Sequence, residues 1–428
     1  MAQKKQNRKR RKDETLAAAL DIGASKVACF IARISPEEEH VPHAEIIGVG
    51  CYGAPASGRA GASAEAIETG VKNAVEAAER MAGEQVTRVI VAVPGKHLRG
   101  RRIGVDLEVA GGVVAQEDLD DSLAEGSKIA TPPDCAPLHS LATGFKVDGE
   151  DGLGDPLGLS GSTLSTQMFA VGAKQSYLDN LADLIERCDL KVEEFAAAPY
   201  AAAEAVLLED EKELGVVLID IGAAATGFAV YDNGVLIECG GVPVGGGHIT
   251  RDIAQIFGAP LAHAERVKTL YGAALMGPGD EHRFIDFPQL GVAGETARAS
   301  RADICEVILP RLEEIFELVS EQLPDDGLRR SGLRRVVLTG GGSLLVGARE
   351  VAERTLVMKS RLGRPAAIPG SPEAASAPGF SVCAGLIQHT ANLGGNRKSG
   401  LGLLRQSPQA EMKPSVLGGV ESWLRAKF

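Results

Sequence analysis

Aromatic side chains make up only 4% of the 428 residues, and the single Trp, Trp423, falls within the last six positions. A Trp that anchors a core sits inside a domain, so this one is set aside for another task. The seven cysteines never come closer than the 22 residues between Cys29 and Cys51, so no Cys-x-x-Cys pair exists for zinc or redox work. An odd, scattered set reads as buried free thiols in a reducing compartment. No run of 18 apolar residues is present, and no apolar stretch follows the charges at the N-terminus as it would in a signal peptide. The expectation is a soluble, cytoplasmic chain. Positive charge is also short: the formal balance is −12, which excludes a general nucleic-acid coat. Seven of the first twelve residues are nevertheless basic, so the remainder of the chain sits near −19.

At roughly 150 residues per domain, the length implies two or three compact units. Residues 16 to 34 read as a strand, a turn at Asp21 to Gly23 and a second strand. Ile67, Val71, Val75, Ala78 and Met81 then recur at helical spacing, and Arg88 to Pro94 returns to a strand. Between about 95 and 170 glycine and proline cluster around short β-like runs and one acidic helix near 116 to 129, which suggests an inserted α+β subdomain. Regular α/β resumes with a helix at 175 to 188, an Ala-rich helix from Pro199, a strand at 215 to 219 and a hairpin at Asp232-Asn233-Gly234. Residues 248 to 325 read as mostly helical. Strand Arg335 to Leu338 precedes a triple glycine, Phe380 to His389 reads as a last core helix, and 391 to 415 as a linker.

One repeat organises the chain: Leu20-Asp21-Ile22-Gly23-Ala24 recurs 199 residues later as Ile219-Asp220-Ile221-Gly222-Ala223, in the same strand-turn-strand context. This argues for two related domains facing each other. A turn of this kind, continued here through Ser25 and Lys26, lets backbone N–H groups approach phosphate oxygens, while Asp21 or Asp220 can hold a hydrated Mg²⁺. A lone copy is more often an ordinary turn. The third element is Gly340-Gly341-Gly342 after strand Val336 to Leu338, where a flat base and ribose can lie against the backbone.

Taken in order, the two phosphate turns and the glycine-rich loop resemble the actin/Hsp70/sugar-kinase superfamily of ATP-binding folds. Val242-Pro243-Val244-Gly245-Gly246-Gly247 is similar to the superfamily loop that passes under the nucleotide. Glu265-Arg266-Val267-Lys268 is similar to its Glu-x-x-Lys turn, in which the carboxylate takes ribose hydroxyls and the Lys flanks adenine; by itself the spacing is more often a solvated ion pair. Within the superfamily the best resemblance is to FtsA, the bacterial actin-like cell-division family, on VAVPGKH (91 to 97), Pro156 to Gly161, Cys188 to Val192 and the closing Ser422 to Phe428. It implies a two-lobed actin-like α/β fold with an inserted α+β subdomain and a C-terminal amphipathic helix. The expected divisions are a basic arm (1 to 14), lobe 1 (15 to 85 and 171 to 214, completed by 379 to 390), the insert (86 to 170), lobe 2 (215 to 247 and 331 to 378), its helical subdomain (248 to 330), a linker (391 to 414) and the terminal helix (415 to 428).

That terminal segment carries its own physical argument. At about 100° per residue, Val416, Leu417, Val420, Trp423, Leu424 and Phe428 fall within roughly 140° of arc, with Arg425 outside it and Lys427 inside with a stem able to snorkel. Such a stripe suits a bilayer surface; the alternative is a helix docked on its own domain.

The resemblance implies ATP and Mg as cofactors, self-association into filaments, contact with later division proteins through the insert, and residence on the cytoplasmic face of the cell inner membrane at the septum. It also implies binding of the C-terminal tail of the tubulin-like protein FtsZ on the helical subdomain, where Arg301 matches a family-typical Arg and Arg298 lies nearby. The basic arm has no aromatic residue to stack bases, and nucleic acid ranks last among its partners. The second turn departs from the family's Asp-x-Gly-x-Gly-Thr: Ala224, Ala225 and Gly227 replace Gly, Thr and a further Asp, with Thr226 as a partial substitute. Ala198 stands where active ATPases place a water-orienting Gln or Glu, so slow or negligible hydrolysis is expected. The rival readings are a pilus-assembly scaffold of the FtsA-like branch, a small-molecule kinase and a chaperone ATPase.

Overall fold

The computed structural model describes residues 14–35, 43–53, 63–130, 134–153, 155–291, 294–323 and 334–395. Positions 1 to 13 of the basic arm, 396 to 414 of the linker and the amphipathic segment 415 to 428 lie outside the described residues.

The first sheet begins as a meander of β1 (Thr15–Ile22), β2 (Lys26–Ser35) and β3 (His43–Gly53). Helix α1 (Ala64–Ala82) is capped at its start by the Ser63 hydroxyl and ended by left-handed Gly83, and its buried face of Ile67, Val71, Ala74, Val75 and Ala78 covers β2 and β3. Gly50 is required by that packing, because a Cβ there would lie 1.8 Å from the Ala74 carbonyl oxygen. β4 (Arg88–Val93) pairs parallel to β1.

Leaving β4, the chain builds a separate antiparallel sheet from β5 (Leu98–Glu108), β6 (Cys135–Val147), β7 (Glu150–Leu153) and β8 (Thr163–Lys174), in the order β5-β8-β6-β7. Helix α2 (Gln116–Ala130) lays Leu119 and Leu123 over it, against Phe145, Leu164 and Met168. Three of the four strands are long, not the short runs read from the sequence. Pro137 and Gly144 border register shifts in the β6–β8 pairing, so part of the glycine and proline clustering marks bulges instead of strand ends.

The chain returns through α3 (Gln175–Glu186) to β9 (Lys191–Ala197), which completes the order β3-β2-β1-β4-β9. Helices α4 (Ala198–Val206) and α5 (Glu209–Leu214) then lead to the second half. There β10 (Val216–Ile221), β11 (Thr226–Asp232) and β12 (Val235–Val242) repeat the opening meander, with the β11–β12 turn at Asn233-Gly234, both at positive φ.

Helices α6 (Gly246–Ile256) and α7 (Leu261–Tyr271), strands β13 (Phe284–Pro288) and β14 (Thr296–Ser300) and helix α8 (Arg301–Gln322) follow. The region expected to be mostly helical therefore contains a hairpin, whose five-residue strands are too short for a period-2 pattern to stand out. β15 (Arg335–Thr339), α9 (Ala348–Leu356) and β16 (Lys359–Leu362) complete a sheet of order β12-β11-β10-β15-β16.

The two sheets have the same five-strand order and the same senses of pairing, so the five-residue repeat is the visible remnant of a duplicated fold. They differ in what is inserted between strands: a sheet with one helix in the first half, helices and a hairpin in the second. The last helix, α10 (Ser381–Gly395), takes in residues 391 to 395 that the sequence assigned to a linker. α10 packs on the alanine-lined α4 so closely that a Cβ at Gly385 would fall 1.6 Å from the Ala201 carbonyl oxygen. α4 also touches β9, β10 and β11, and α10 touches β1 and β2, which puts this helix pair between the sheets.

Candidate functional site

Each repeated Asp sits on the next-to-last residue of the first strand of its sheet, ahead of a tight turn. In the first turn Gly23 N–H donates to the Lys26 carbonyl at 2.9 Å; in the second Gly222 N–H donates to the Ala225 carbonyl at 3.0 Å. A Cβ on either glycine would lie 2.9 Å from that same carbonyl oxygen, so both turns need glycine for one reason. Ala24 and Ser25 stand exposed at the first tip, and Ala223 is half-buried at the second.

The charge of Asp21 reaches Asp220. Burial pushes Asp21 up to about 6 against the opposing pull of the Lys26 ammonium. Burial and the charge of Asp21 together push Asp220 up to about 7, again opposed by Lys26. Two desolvated carboxylates of like charge beside one ammonium form a site with too few cations. Among the described residues no cluster of three or more His, Cys, Asp or Glu makes a metal cage. Two carboxylates alone fit a hydrated Mg²⁺ that takes its other ligands from water and phosphate oxygens.

The triple glycine closes on the second turn. Gly340, at φ +82°, leaves no room for a side chain: a Cβ would lie 2.2 Å from Asp220 Oδ1. At Gly342 a Cβ would lie 2.4 Å from Ile221 Cγ2, whereas at Gly341 nothing stands within 4 Å. Gly341 thus opens onto free space between two glycines held tight against β10. The Gly245–Gly247 loop stacks on the same turn, with Gly246 N–H donating to the Gly222 carbonyl and Gly247 N–H to the Ala223 carbonyl, both at 2.8 Å. A Cβ on Gly246 would lie 3.9 Å from Gly342 Cα, so the two glycine loops lie close together and form a shallow slot with no side chain in it. Bare backbone of this kind, open at Gly341, leaves a surface against which a planar base and sugar can lie.

Glu265 and Lys268 meet on one face of α7. Lys268 Nζ donates to Glu265 Oε2 at 2.7 Å, to Thr250 Oγ1 at 2.8 Å and to the Gly246 carbonyl at 2.9 Å. All three ammonium donors are thus committed within the protein, one of them to the loop itself, and Lys268 braces the slot where the resemblance had it flank a base. Thr250 also donates to Glu265 Oε2, so both bonds fall on one oxygen of the half-exposed Glu265 and Oε1 is open to accept another.

Two sequence expectations need correction, on Thr226 and on the arginine pair, and the departure at Gly227 finds its reason. Thr226 is fully buried and its hydroxyl donates to the Val244 carbonyl at 2.8 Å, so it holds the glycine loop from beneath and does not face a ligand. Gly227 stands where the family places an Asp because α4 begins there: a Cβ would lie 2.7 Å from Pro199 Cγ. Arg301 and Arg298 do not form one basic surface. Arg301 turns inward, with Nη1 2.7 Å from both oxygens of buried Asp280 and Nε donating to the Tyr271 carbonyl at 2.9 Å. Arg298 stays exposed, its guanidinium 4.8 Å from the Phe284 ring centroid and 3.7 Å from Asp286.

Residues that sequence reasoning passed over also line the site. Thr250 joins the Lys268 brace. The Pro378 carbonyl accepts from Gly340 N–H at 3.2 Å, and Phe380 lies under Lys26, with Nζ 3.5 Å from the ring centroid. No local pattern marks them, since Phe380 and Lys26 are brought together only by the fold.

Comparison with known proteins agrees with this architecture. The family model "Cell division protein FtsA" matches residues 217–385, and "SHS2 domain inserted in FTSA" matches 95–171. The chain is 36% identical over 382 residues to the cell division protein FtsA of Agrobacterium fabrum, covering 87% of this chain and 86% of that one. It is 30% identical over 423 residues to FtsA of Escherichia coli, covering 96% of each. Among solved structures, the PilM-PilN type IV pilus biogenesis complex superimposes with a TM-score of 0.59 at 19% identity, over 88% of this chain and 98% of that one. MreB5 of Spiroplasma citri bound to ADP gives 0.52 at 15% identity, over 90% and 98%. Both structural likenesses speak for the fold. With the duplicated sheets, the inserted domain and the identity across most of its length, the chain belongs to the FtsA family of actin-like cell-division proteins.

Proposed function

We propose that the chain binds ATP with Mg²⁺ between its two lobes and works as a nucleotide-gated scaffold at the cytoplasmic face of the cell inner membrane. The observation that carries this reading is the pairing of Asp21 and Asp220 on two equivalent glycine turns, beside a glycine slot open at Gly341. The turns at 23 to 26 and 222 to 225 would cradle the phosphates, Asp21 and Asp220 would hold the hydrated cation, and Gly246, Gly341, Gly342 and Glu265 would receive the adenosine. Mg²⁺ supplies charge that offsets the phosphates and the two carboxylates. Ala198, buried at the start of α4, has no group to orient a water, which favours retention of ATP over its turnover. A turnover of about one per second or faster would contradict this.

Closure on ATP would favour head-to-tail filaments. The segment from Val416 to Phe428, with Trp423 at the interface, would tie them to lipid, and the helical subdomain would take the C-terminal tail of FtsZ, so that the filament anchors the FtsZ ring and gathers later division proteins. Among the described residues no helix is long and apolar enough to cross a membrane, which leaves the attachment to such a segment. Liposome co-sedimentation of the full chain against one ending at Pro414, with and without ATP, tests the anchor. The full chain should pellet and the shortened one stay in solution; equal pelleting contradicts the proposal.

A further inference from the structure

Among the described residues the ammonium of Lys26 makes no ion pair, although two carboxylates lie close enough for their charge to be felt. It rests instead on Phe380, with Nζ 3.5 Å from the ring centroid. Gly379 makes room for it, since a Cβ there would lie 2.8 Å from Nζ. The ring is fixed from several sides. Phe30 stacks on it at 5.8 Å, and Phe380 N–H donates to the Ala377 carbonyl at 2.9 Å. The Pro378 carbonyl in the same turn accepts from Gly340 N–H at 3.2 Å and Ser381 Oγ at 2.9 Å. The turn that carries Phe380 thus reaches the phosphate turn of one lobe and the glycine loop of the other.

We propose that Phe380 is a positioning residue: its π face holds the Lys26 ammonium beside, and not on, Asp21 and Asp220. The lysine is thereby kept for phosphate oxygens and the carboxylates for the cation. A lysine without that support would fold onto a carboxylate at the same distance as an ordinary salt bridge, neutralising both binding groups at once. The inference rests on the reading of the site as one for a nucleoside triphosphate with Mg²⁺, and it assigns a role to a side chain that itself touches neither.

The test is calorimetric binding of Mg·ATP to the full chain carrying Phe380→Leu, Phe380→Tyr, or mono-, di- and trifluorinated phenylalanine at 380, each also in a Lys26→Met background. Fluorination drains the π face at nearly constant volume, so a purely packing role leaves the series flat. The expected result is a stepwise loss of affinity reaching about tenfold with three fluorines, a similar loss for Phe380→Leu, recovery in Phe380→Tyr, and no further loss in the Lys26→Met background. A flat fluorine series, or a loss of the same size without Lys26, overturns the positioning role. Should Phe380→Leu fail to fold, the fluorinated series still decides. If the unsubstituted chain takes up no Mg·ATP, the nucleotide reading falls and this inference with it; if it does, and the series is flat, only the inference falls.

Discussion

His139 Nε2, on the inserted sheet, accepts the backbone N–H of Ala197 at 2.9 Å, where β9 hands over to α4. The imidazole is buried, lies against the Tyr200 ring at 4.4 Å and meets His389 edge-on at 5.7 Å, while His389 Nε2 reaches Glu194 at 3.0 Å. One side chain of the insert therefore fixes the start of the helix whose Pro199 abuts, at Gly227, the strand that follows the second glycine turn.

Burial and the adjacent His389 hold His139 well below its usual 6.5. A neutral histidine in the fold and an ordinary one in the unfolded chain mean that protons favour unfolding. The stability this group contributes is present above about pH 6.5 and falls away as the pH drops below it. His139→Leu should cost about 1 to 3 kcal/mol at pH 7.5, from the orphaned Ala197 N–H, and should flatten the stability profile between pH 7 and 5. Chemical denaturation at several pH values measures both.

The carboxyls respond the other way. Asp21 and Asp220, raised to about 6 and about 7, favour the protonated form in the ligand-free fold, so their contribution to stability is present at acid pH and lost as the pH rises through those values. A cation needs them ionised. Affinity for Mg²⁺ with nucleotide should therefore fall as the pH drops from 8 to 5.5, and Asp220→Asn should remove most of that slope. Titrations across this range check it; a slope unchanged in Asp220→Asn would contradict the assignment.

Gly340 and Gly341 separate folding from binding. Gly340→Ala forces a methyl group 2.2 Å from Asp220 Oδ1 at a positive φ and should destabilise the chain by at least about 2 kcal/mol. Gly341→Ala meets nothing within 4 Å and should keep its melting temperature while weakening adenine-nucleotide binding severalfold. Thermal unfolding and binding, measured on both variants, should give opposite rankings.

Arg301 and Arg298 should separate in the same manner. Arg301→Glu places a carboxylate against Asp280 and should lower the melting temperature, whatever it does to a partner. Arg298→Glu disturbs only an exposed contact and should leave stability within about 0.5 kcal/mol while weakening capture of an FtsZ tail peptide. Fluorescence anisotropy of the labelled peptide measures the second effect; unchanged binding by Arg298→Glu would remove that residue from the proposed surface.

The halves of the fold were legible because each announces itself locally, as an apolar strand, an Asp-x-Gly turn and a second strand. β3 was not, since Gly48 and Gly50 interrupt its pattern for the sake of contact with α1, and nothing in the sequence says so. The site divides along the same line. Glycines at turns could be placed from sequence, because the turn itself requires them. The duties of Thr226, Lys268 and Arg301 could not, because each depends on a carbonyl or carboxylate 18 to 30 residues away that satisfies the side chain inside the protein. Phe380, 354 residues from Lys26, is the extreme case.

If both lobes grip one nucleotide through one Asp each, calorimetric titration of ATP into the full chain, Asp21→Asn and Asp220→Asn, with Mg²⁺ and with a chelator, will show it. One ATP should bind per chain, dependent on Mg²⁺ and weakened at least about tenfold by either substitution. Binding that survives both substitutions and the chelator unchanged, or no binding by the unsubstituted chain, would overturn the two-lobed grip.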